Sequence, residues 1–274
     1  MSRMQYGLLG GKLGHSLSPK IHELFFRHTG KEGSYVLLET PEAGLPERLR
    51  QLRSEGYAGC NVTIPHKVAV MPLLDGVAKE AAAIGAVNTI HFTGQGAFGY
   101  NTDYFGFGRM LEYNGIDVAG KTAVVLGSGG AARAVLSYLQ AQQAAELYLV
   151  TRSPEKVDTY FYQIAPQLRV ISYEELARLS GRLLVNCTPV GMYPAVEACP
   201  VAAGISAAFD ASVDLIYNPA QTLFLRQAAA AGKKAVNGLF MLVAQAVAAQ
   251  EIWQQETYDS RLIEKIMTEL ENCL

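Results

Sequence analysis

Cysteine is scarce in this chain of 274 residues, and what there is lies scattered. The four cysteines, Cys60, Cys187, Cys199 and Cys273, form no C-x-x-C pair. Neither a disulfide frame nor a zinc site is expected, and the thiols read as free and reduced. Charge is sparse as well, at 18% of residues with a formal net charge of -2. No basic block points to nucleic acid and no polybasic amphipathic helix points to a membrane surface, so a small-molecule partner is expected. Long apolar runs are also missing. "GLFMLVAQAVAA" from Gly238 is short for a membrane span and carries Gln245 inside it. The opening "MSRMQYGLLG" lacks the apolar stretch of a secretory leader, so a cytoplasmic protein is expected. Apolar residues themselves are plentiful, at 50%. That is enough to fill sizeable cores in one large domain or two ordinary ones.

Short β-branched and apolar runs alternate with helical patterns, which argues an α/β fold with mainly parallel sheets. In the first hundred residues "MQYGLLG", "GSYVLLET", "GCNVTI", "AVNTIHF" and "AFGYNT" read as strands, with helices over Pro19–His28 and Pro46–Glu55. The last two strands are joined by "TGQG", a hairpin-like connection, so this first sheet should be mixed. From Thr122 the strands "TAVVLG", "ELYLVT", "RVISY", "RLLVNCT", "AFDASV" and "KKAVNG" follow at even spacing, mostly with helices between them. Six such strands are the complement of a doubly wound nucleotide-binding sheet. Beyond Gly238 the pattern is helical, ending in the amphipathic "YDSRLIEKIMTELENCL".

"TAVVLGSGGAARAVLSYL" is the most specific local signal. A buried strand runs into Gly127-Ser128-Gly129-Gly130-Ala131-Ala132, and a helix begins at once. Glycine at 127 allows the tight turn, glycine at 129 lets backbone approach a pyrophosphate, and small Ala132 lets helix and strand pack closely. The helix N-terminus then offers unpaired N–H groups to phosphate. A ligand-free glycine turn would look the same locally, but the flanking strand and helix fit a dinucleotide site. Thr151, Arg152 and Ser153 stand where an NAD site places an acid for the ribose 2′-hydroxyl. An arginine fork there suits a 2′-phosphate, so NADP is the expected cofactor.

A nicotinamide cofactor implies hydride transfer between an alcohol and a ketone, and some group must take the alcohol's proton. The five histidines, His15, His22, His28, His66 and His91, include no obvious relay. Cys60 and Cys187 sit in apolar strands as core thiols. Lysine or a carboxylate is left, and "GCNVTIPHK" delivers Lys67 just past a strand that stops at Pro65.

"HSLSP" from His15, "NVTIPHK" from Asn61, "GAVNT" from Gly85 and "GYNTDYFGF" from Gly99 occur in order. They are followed by "GSGGAARA", by "NCTPVGM" from Asn186, by "DLIYNP" from Asp214 and by "NGLFMLVAQA" from Asn237. Over nearly its whole length this series resembles that of the shikimate dehydrogenases. The resemblance implies a substrate-binding and catalytic domain over 1–103, an NADP-binding Rossmann-like domain over 104–238, and helices over 239–274 that return to the first domain. It implies an active site in the cleft between the domains and reversible NADP-linked reduction of 3-dehydroshikimate to shikimate. Lys67 and Asp103, expected at the ends of different strands, match the family's paired lysine and aspartate. The proton relay falls to Lys67 with Asp103 as partner; cleft burial would favour the neutral amine and the carboxylate the charged one. Ser16 and Ser18 match the carboxylate-binding serines, although Ser18 before Pro19 also reads as a helix N-cap. Thr63, Asn88, Tyr217 and Gln245 match polyol contacts. Cofactor contacts carry over to the glycine loop, to Thr151, Arg152, Ser153 and Lys156, and to Thr188, Leu215, Gly238 and Met241. Two positions depart from the usual pattern: Thr151 stands where asparagine is frequent, and Ser128 where alanine is. No metal is implied. A quinate or dual quinate/shikimate dehydrogenase, and a catalytically silent NADP-binding regulator, are the alternatives. Monomer and homodimer both stay open.

Overall fold

The computed structural model describes residues 4–14 and 16–272, so His15 and Cys273 lie outside the described residues. By its internal contacts the chain divides into two compact units, Met1–Gly106 with Val243–Leu274, and Phe107–Leu242. In chain order the first unit runs β1 (Met4–Gly10), α1 (Ser18–Thr29), β2 (Gly33–Glu39), α2 (Leu45–Ser54), β3 (Gly59–Val62) and α3 (His66–Ala69). It continues through β4 (Gly76–Val77), α4 (Lys79–Ile84), β5 (Thr89–Thr93), β6 (Gly96–Tyr100) and the start of α5 (Thr102–Tyr113). Its sheet has the order β2-β1-β3-β5-β6-β4. β1 is parallel to β2 and β3, whereas β5 is antiparallel to both β3 and β6. The hairpin expected at "TGQG" is the β5–β6 turn, and the sheet is mixed.

The second unit carries β7 (Thr122–Leu126), α6 (Gly130–Ala141), β8 (Glu146–Val150), α7 (Tyr160–Ile164), β9 (Arg169–Ile171) and α8 (Tyr173–Leu176). β10 (Gly181–Asn186), β11 (Phe209–Asp214), α9 (Leu223–Ala230), β12 (Lys234–Val236) and the first turn of α10 (Leu239–Gln254) follow; the rest of α10 and α11 (Ser260–Glu271) belong to the first unit. All six strands are parallel in the order β12-β11-β10-β7-β8-β9. This is the doubly wound dinucleotide-binding order, with its reversal between β7 and β10. The division between units falls a turn inside α5 and α10 rather than at 103 and 238, because composition marks the loops while packing does not respect helix starts.

Each core follows from side-chain spacing. α2 presents Leu45, Leu49 and Leu52 at helical intervals, and they pack with Leu9, Cys60, Val62 and Ile90 of the sheet. The second unit buries Val124, Leu126, Val150 and Leu184 from adjacent strands, as a sheet covered on both faces requires. The C-terminal helices return to the first sheet, where Ala249 and Trp253 cluster with Tyr6. Trp253 of α10 stacks on Tyr6 at 4.7 Å between ring centres and donates Nε1–H to Ile90 O at 2.8 Å. A Cβ at Gly59 would overlap that indole, so glycine there makes the notch.

His22, on the buried face of α1, stacks on Tyr35 at 3.9 Å, and its Nδ1 meets Gln250 Nε2 of α10 at 2.9 Å. Burial pushes its pKa down to about 3. The unfolded chain would bind that proton near the usual ~6.5. The stability this neutral ring contributes is therefore present above about pH 6.5 and is lost as pH falls toward 3. Calorimetric melting of the wild type should drop more steeply between pH 7 and pH 4 than that of a His22→Gln variant. Parallel slopes would sink the assignment.

Candidate active site

The strand directions alone gather the first unit's polar residues at one sheet edge. The C-terminal ends of parallel β1 and β3 lie beside the N-terminal end of antiparallel β5, and that end lies beside the C-terminal end of β6. Ser16 and Ser18 follow β1, Thr63 and Lys67 follow β3, Asn88 precedes β5, and Asp103 follows β6. Residues spread over almost ninety positions thus share one rim.

Lys67 and Asp103 meet there, with Nζ 2.5 Å from Oδ2 and both side chains mostly buried. They do not end strands, as the sequence suggests. β3 stops at Val62, and Lys67 lies in the four-residue α3, while Asp103 is the second residue of α5. Proline at 65 has no N–H for a strand ladder, and His66 N–H turns back to Thr63 O at 2.9 Å. Buried His66 then fixes α3 through Nε2 to Thr40 O at 2.8 Å, and Lys67 O accepts Val87 N–H at 2.8 Å. On the other side, Asn101 Oδ1 accepts the Tyr104 N–H at 3.4 Å, as a helix cap does, which leaves Asp103 in the first turn where an anion is favoured.

Asn88 is almost fully buried, and its Oδ1 accepts Thr102 N–H at 2.7 Å and Thr89 Oγ1–H at 3.0 Å. Its carbonyl oxygen is thus spent on holding the turn that carries Asp103, and the amide N–H₂ is left as its donor. Behind it, Asn61 Nδ2 donates to Thr89 Oγ1 at 2.9 Å, and Tyr35 OH donates to Asn61 Oδ1 at 2.8 Å. Ser18 is not the helix cap: Leu17 occupies that position, and Ser16 Oγ accepts the Ser18 N–H at 3.2 Å. The two hydroxyls are also 3.2 Å apart, so both stand at the start of α1. Gln245 is half-buried on α10 in the first unit, and Tyr217 is half-buried in the turn after β11 in the second.

In the second unit the expected cofactor residues fall at C-terminal strand ends. Gly127 has φ +89°, and a Cβ there would come within 2.6 Å of Thr188 Cγ2, so glycine brings the loops after β7 and β10 together. Around Gly129 and Gly130 nothing lies within 4 Å of an added Cβ, and no side chain caps the twelve-residue α6. Ser128 and Ala131 flank these two glycines, the Ala132 N–H turns back to Gly129 O at 3.1 Å, and Ala132 is fully buried. Arg152 and Lys156 are exposed after β8, with Thr151 and Ser153 half-buried beside them. These residues fit a dinucleotide with an extra phosphate. Gly238 packs onto the Leu215 backbone so closely that any Cβ would overlap the Leu215 carbonyl, and Met241 lies buried in α10. Among the described residues no group of three or more His, Cys, Asp or Glu side chains could hold a metal ion, and no helix is long and apolar enough to cross a membrane. Burial pushes the Cys60 thiol up to about 12 and the Cys187 thiol higher still, so both are neutral and poor nucleophiles.

Residues 8–90 match the family model described as the shikimate dehydrogenase substrate binding domain. Over 267 residues the chain is 42% identical to a protein of Clostridium beijerinckii named shikimate dehydrogenase (NADP(+)), with 97% of this chain and 98% of that one covered. The chain belongs to the shikimate dehydrogenase family. Its fold is similar to a chorismate mutase/shikimate 5-dehydrogenase fusion protein from Clostridium acetobutylicum, at 47% identity and a TM-score of 0.94, covering 99% of this chain and 98% of that one. It is similar too to shikimate 5-dehydrogenase from Thermus thermophilus, solved in complex with NADP(H) and shikimate, at 36% identity and a TM-score of 0.87, covering 97% and 99%.

Within this shikimate dehydrogenase fold, the residues that hold others in place are the ones sequence reading misses. Asn61, Tyr35 and His66 carry no spacing signal, because their partners lie at distant positions in the chain. Asn186 and Asp214 sit at the ends of apolar strands, and only the pairing of β10 with β11 brings them together. Asp214 does leave one trace: a carboxylate at the end of a run that otherwise reads as buried.

Proposed function

We propose that this protein catalyses the reversible NADP-linked reduction of 3-dehydroshikimate to shikimate in the cytoplasm. The observation that carries the reading is the Lys67–Asp103 contact of 2.5 Å on the shared sheet rim. Bound NADPH supplies the hydride that converts the ring ketone to an alcohol. The carbonyl oxygen gains a proton as it becomes a hydroxyl, and Lys67 donates it; in the reverse direction Lys67 takes it back. Asp103 accepts hydrogen bonds from the ammonium and from a ring hydroxyl, holding both in register. Ser16 and Ser18 donate to the ring carboxylate. Thr63, Asn88, Tyr217 and Gln245 bond the remaining hydroxyls, with Asn88 limited to donating because its oxygen is already occupied. The start of α6, which no side chain caps, holds the pyrophosphate, and Arg152 with Lys156 holds the 2′-phosphate.

Initial rates followed by nicotinamide absorbance test this, with shikimate and quinate each paired with NADP and NAD. Turnover should be confined to shikimate with NADP. Comparable rates with quinate or NAD would make this a dual-specificity enzyme, and no turnover with any pair would reject the reading.

A further inference from the structure

The ends of β10 and β11 hold one polar cluster among strands that are otherwise apolar. Asp214, the last residue of β11, is fully buried and, among the described residues, has no ion-pair partner. Its carboxylate accepts from three donors. Asn186 Nδ2 and Ile216 N–H reach Oδ1 at 3.0 and 3.1 Å, and Thr222 Oγ1–H reaches Oδ2 at 2.7 Å. Asn186 carries the constraint onward: its Oδ1 accepts both Thr188 N–H at 3.0 Å and Thr188 Oγ1–H at 2.7 Å, and its backbone O accepts Leu215 N–H at 3.0 Å. One carboxylate therefore fixes the loop that starts at Thr188 and the turn that holds Leu215 and Tyr217.

The strands do not need this group to pair, since β10 and β11 already share a parallel ladder. Burying an unpaired carboxylate works against the fold, and burial does push its pKa up to about 6. The nearby titratable groups, the thiols of Cys187 and Cys199, are neutral and offer no compensation. A costly group at the ends of two strands, where a doubly wound sheet takes its ligand, has a local purpose. We infer that Asp214 is a positioning residue for the dinucleotide site, setting Thr188 and Leu215 in place through Asn186 and the Ile216 turn. This rests on the NADP reading above.

The test is NADP binding by titration calorimetry on the full chain, with melting of the free protein measured alongside. In Asp214→Asn one of the three donors meets an amide N–H₂ instead of an oxygen. Its Kd for NADP should rise about tenfold, the effect of leaving one buried group unmatched. Thr222→Val removes one donor and should weaken binding several-fold, while Thr222→Ser keeps the hydroxyl and should bind as the wild type does. Thr222 also caps α9, so Thr222→Val should melt earlier whatever the role of Asp214, and the Kd decides. Variants that melt earlier yet bind NADP within twofold of wild type would overturn the inference. If Asp214→Asn does not fold, equal Kd values for Thr222→Val and Thr222→Ser overturn it by themselves. A wild type that binds no NADP would bring down the cofactor reading as well, and is recognisable as that separate failure.

Discussion

Replacing Lys67 with alanine should lower kcat by about 10³-fold, the usual contribution of a positioned general acid–base group, and leave NADP affinity within about twofold. The first part follows from the rim geometry: no other titratable side chain pairs with Asp103 among the described residues. The second follows from location, since the glycine loop and Arg152 belong to the other unit. The variant should still fold, because Asp103 keeps its place in the first turn of α5, where the helix dipole favours an anion. Lys67→Arg separates two roles. Arginine keeps the positive charge and the contact with Asp103, but it does not release a proton near neutral pH. If Lys67 moves a proton, the arginine variant stays as slow as the alanine variant. Recovery to a tenth of the wild-type rate or more would make Lys67 an electrostatic anchor and leave the proton donor unidentified. Stopped-flow measurement of nicotinamide absorbance reads all three proteins.

Arg152→Ala should raise the KM for NADP by about 10- to 100-fold, as expected for one charge-assisted phosphate contact, and leave the KM for NAD nearly unchanged. Arg152 is exposed and makes no ion pair among the described residues, so its donor fork is not committed elsewhere. Loss of the side chain should therefore leave melting unaffected. The wild type's NADP preference should shrink as salt is added, since an exposed ion contact is screened over about 10 Å at 0.1 M. An equal loss with both cofactors would place Arg152 at the pyrophosphate or in the fold rather than at the 2′-phosphate.

The parallel strands are legible in the sequence because each is a short β-branched or apolar run between turn residues, and the glycine loop because its chemistry is local. Shorter pieces are not. α3 spans four residues, too few for a helical period, so Lys67 reads as the end of a strand. β4 has two residues, and only its pairing with β6 defines it. Ser18 looks like a cap because serine before proline usually is one, yet here the chain enters the helix a residue earlier, at Leu17. Asn88 reads as a polyol contact, while its bond to Thr102 depends on the β5–β6 hairpin folding one segment onto the other. Asp214 depends on a strand pairing in the same way. Residues proposed to meet substrate stand in recognisable motifs, whereas residues that hold them in place are defined by tertiary neighbours.

The notch at Gly59 sets an order of assembly. The indole that fills it belongs to Trp253, almost two hundred positions further along, so a ribosome delivers the notch long before the ring. The segment that forms the second unit is complete earlier and can fold while synthesis continues. The sheet that bears Lys67 and Asp103 must wait with part of its apolar surface bare until the last helices emerge. In this chain the half made first is the half finished last, and a truncation shortly before Trp253 would spare the second unit and cripple the first.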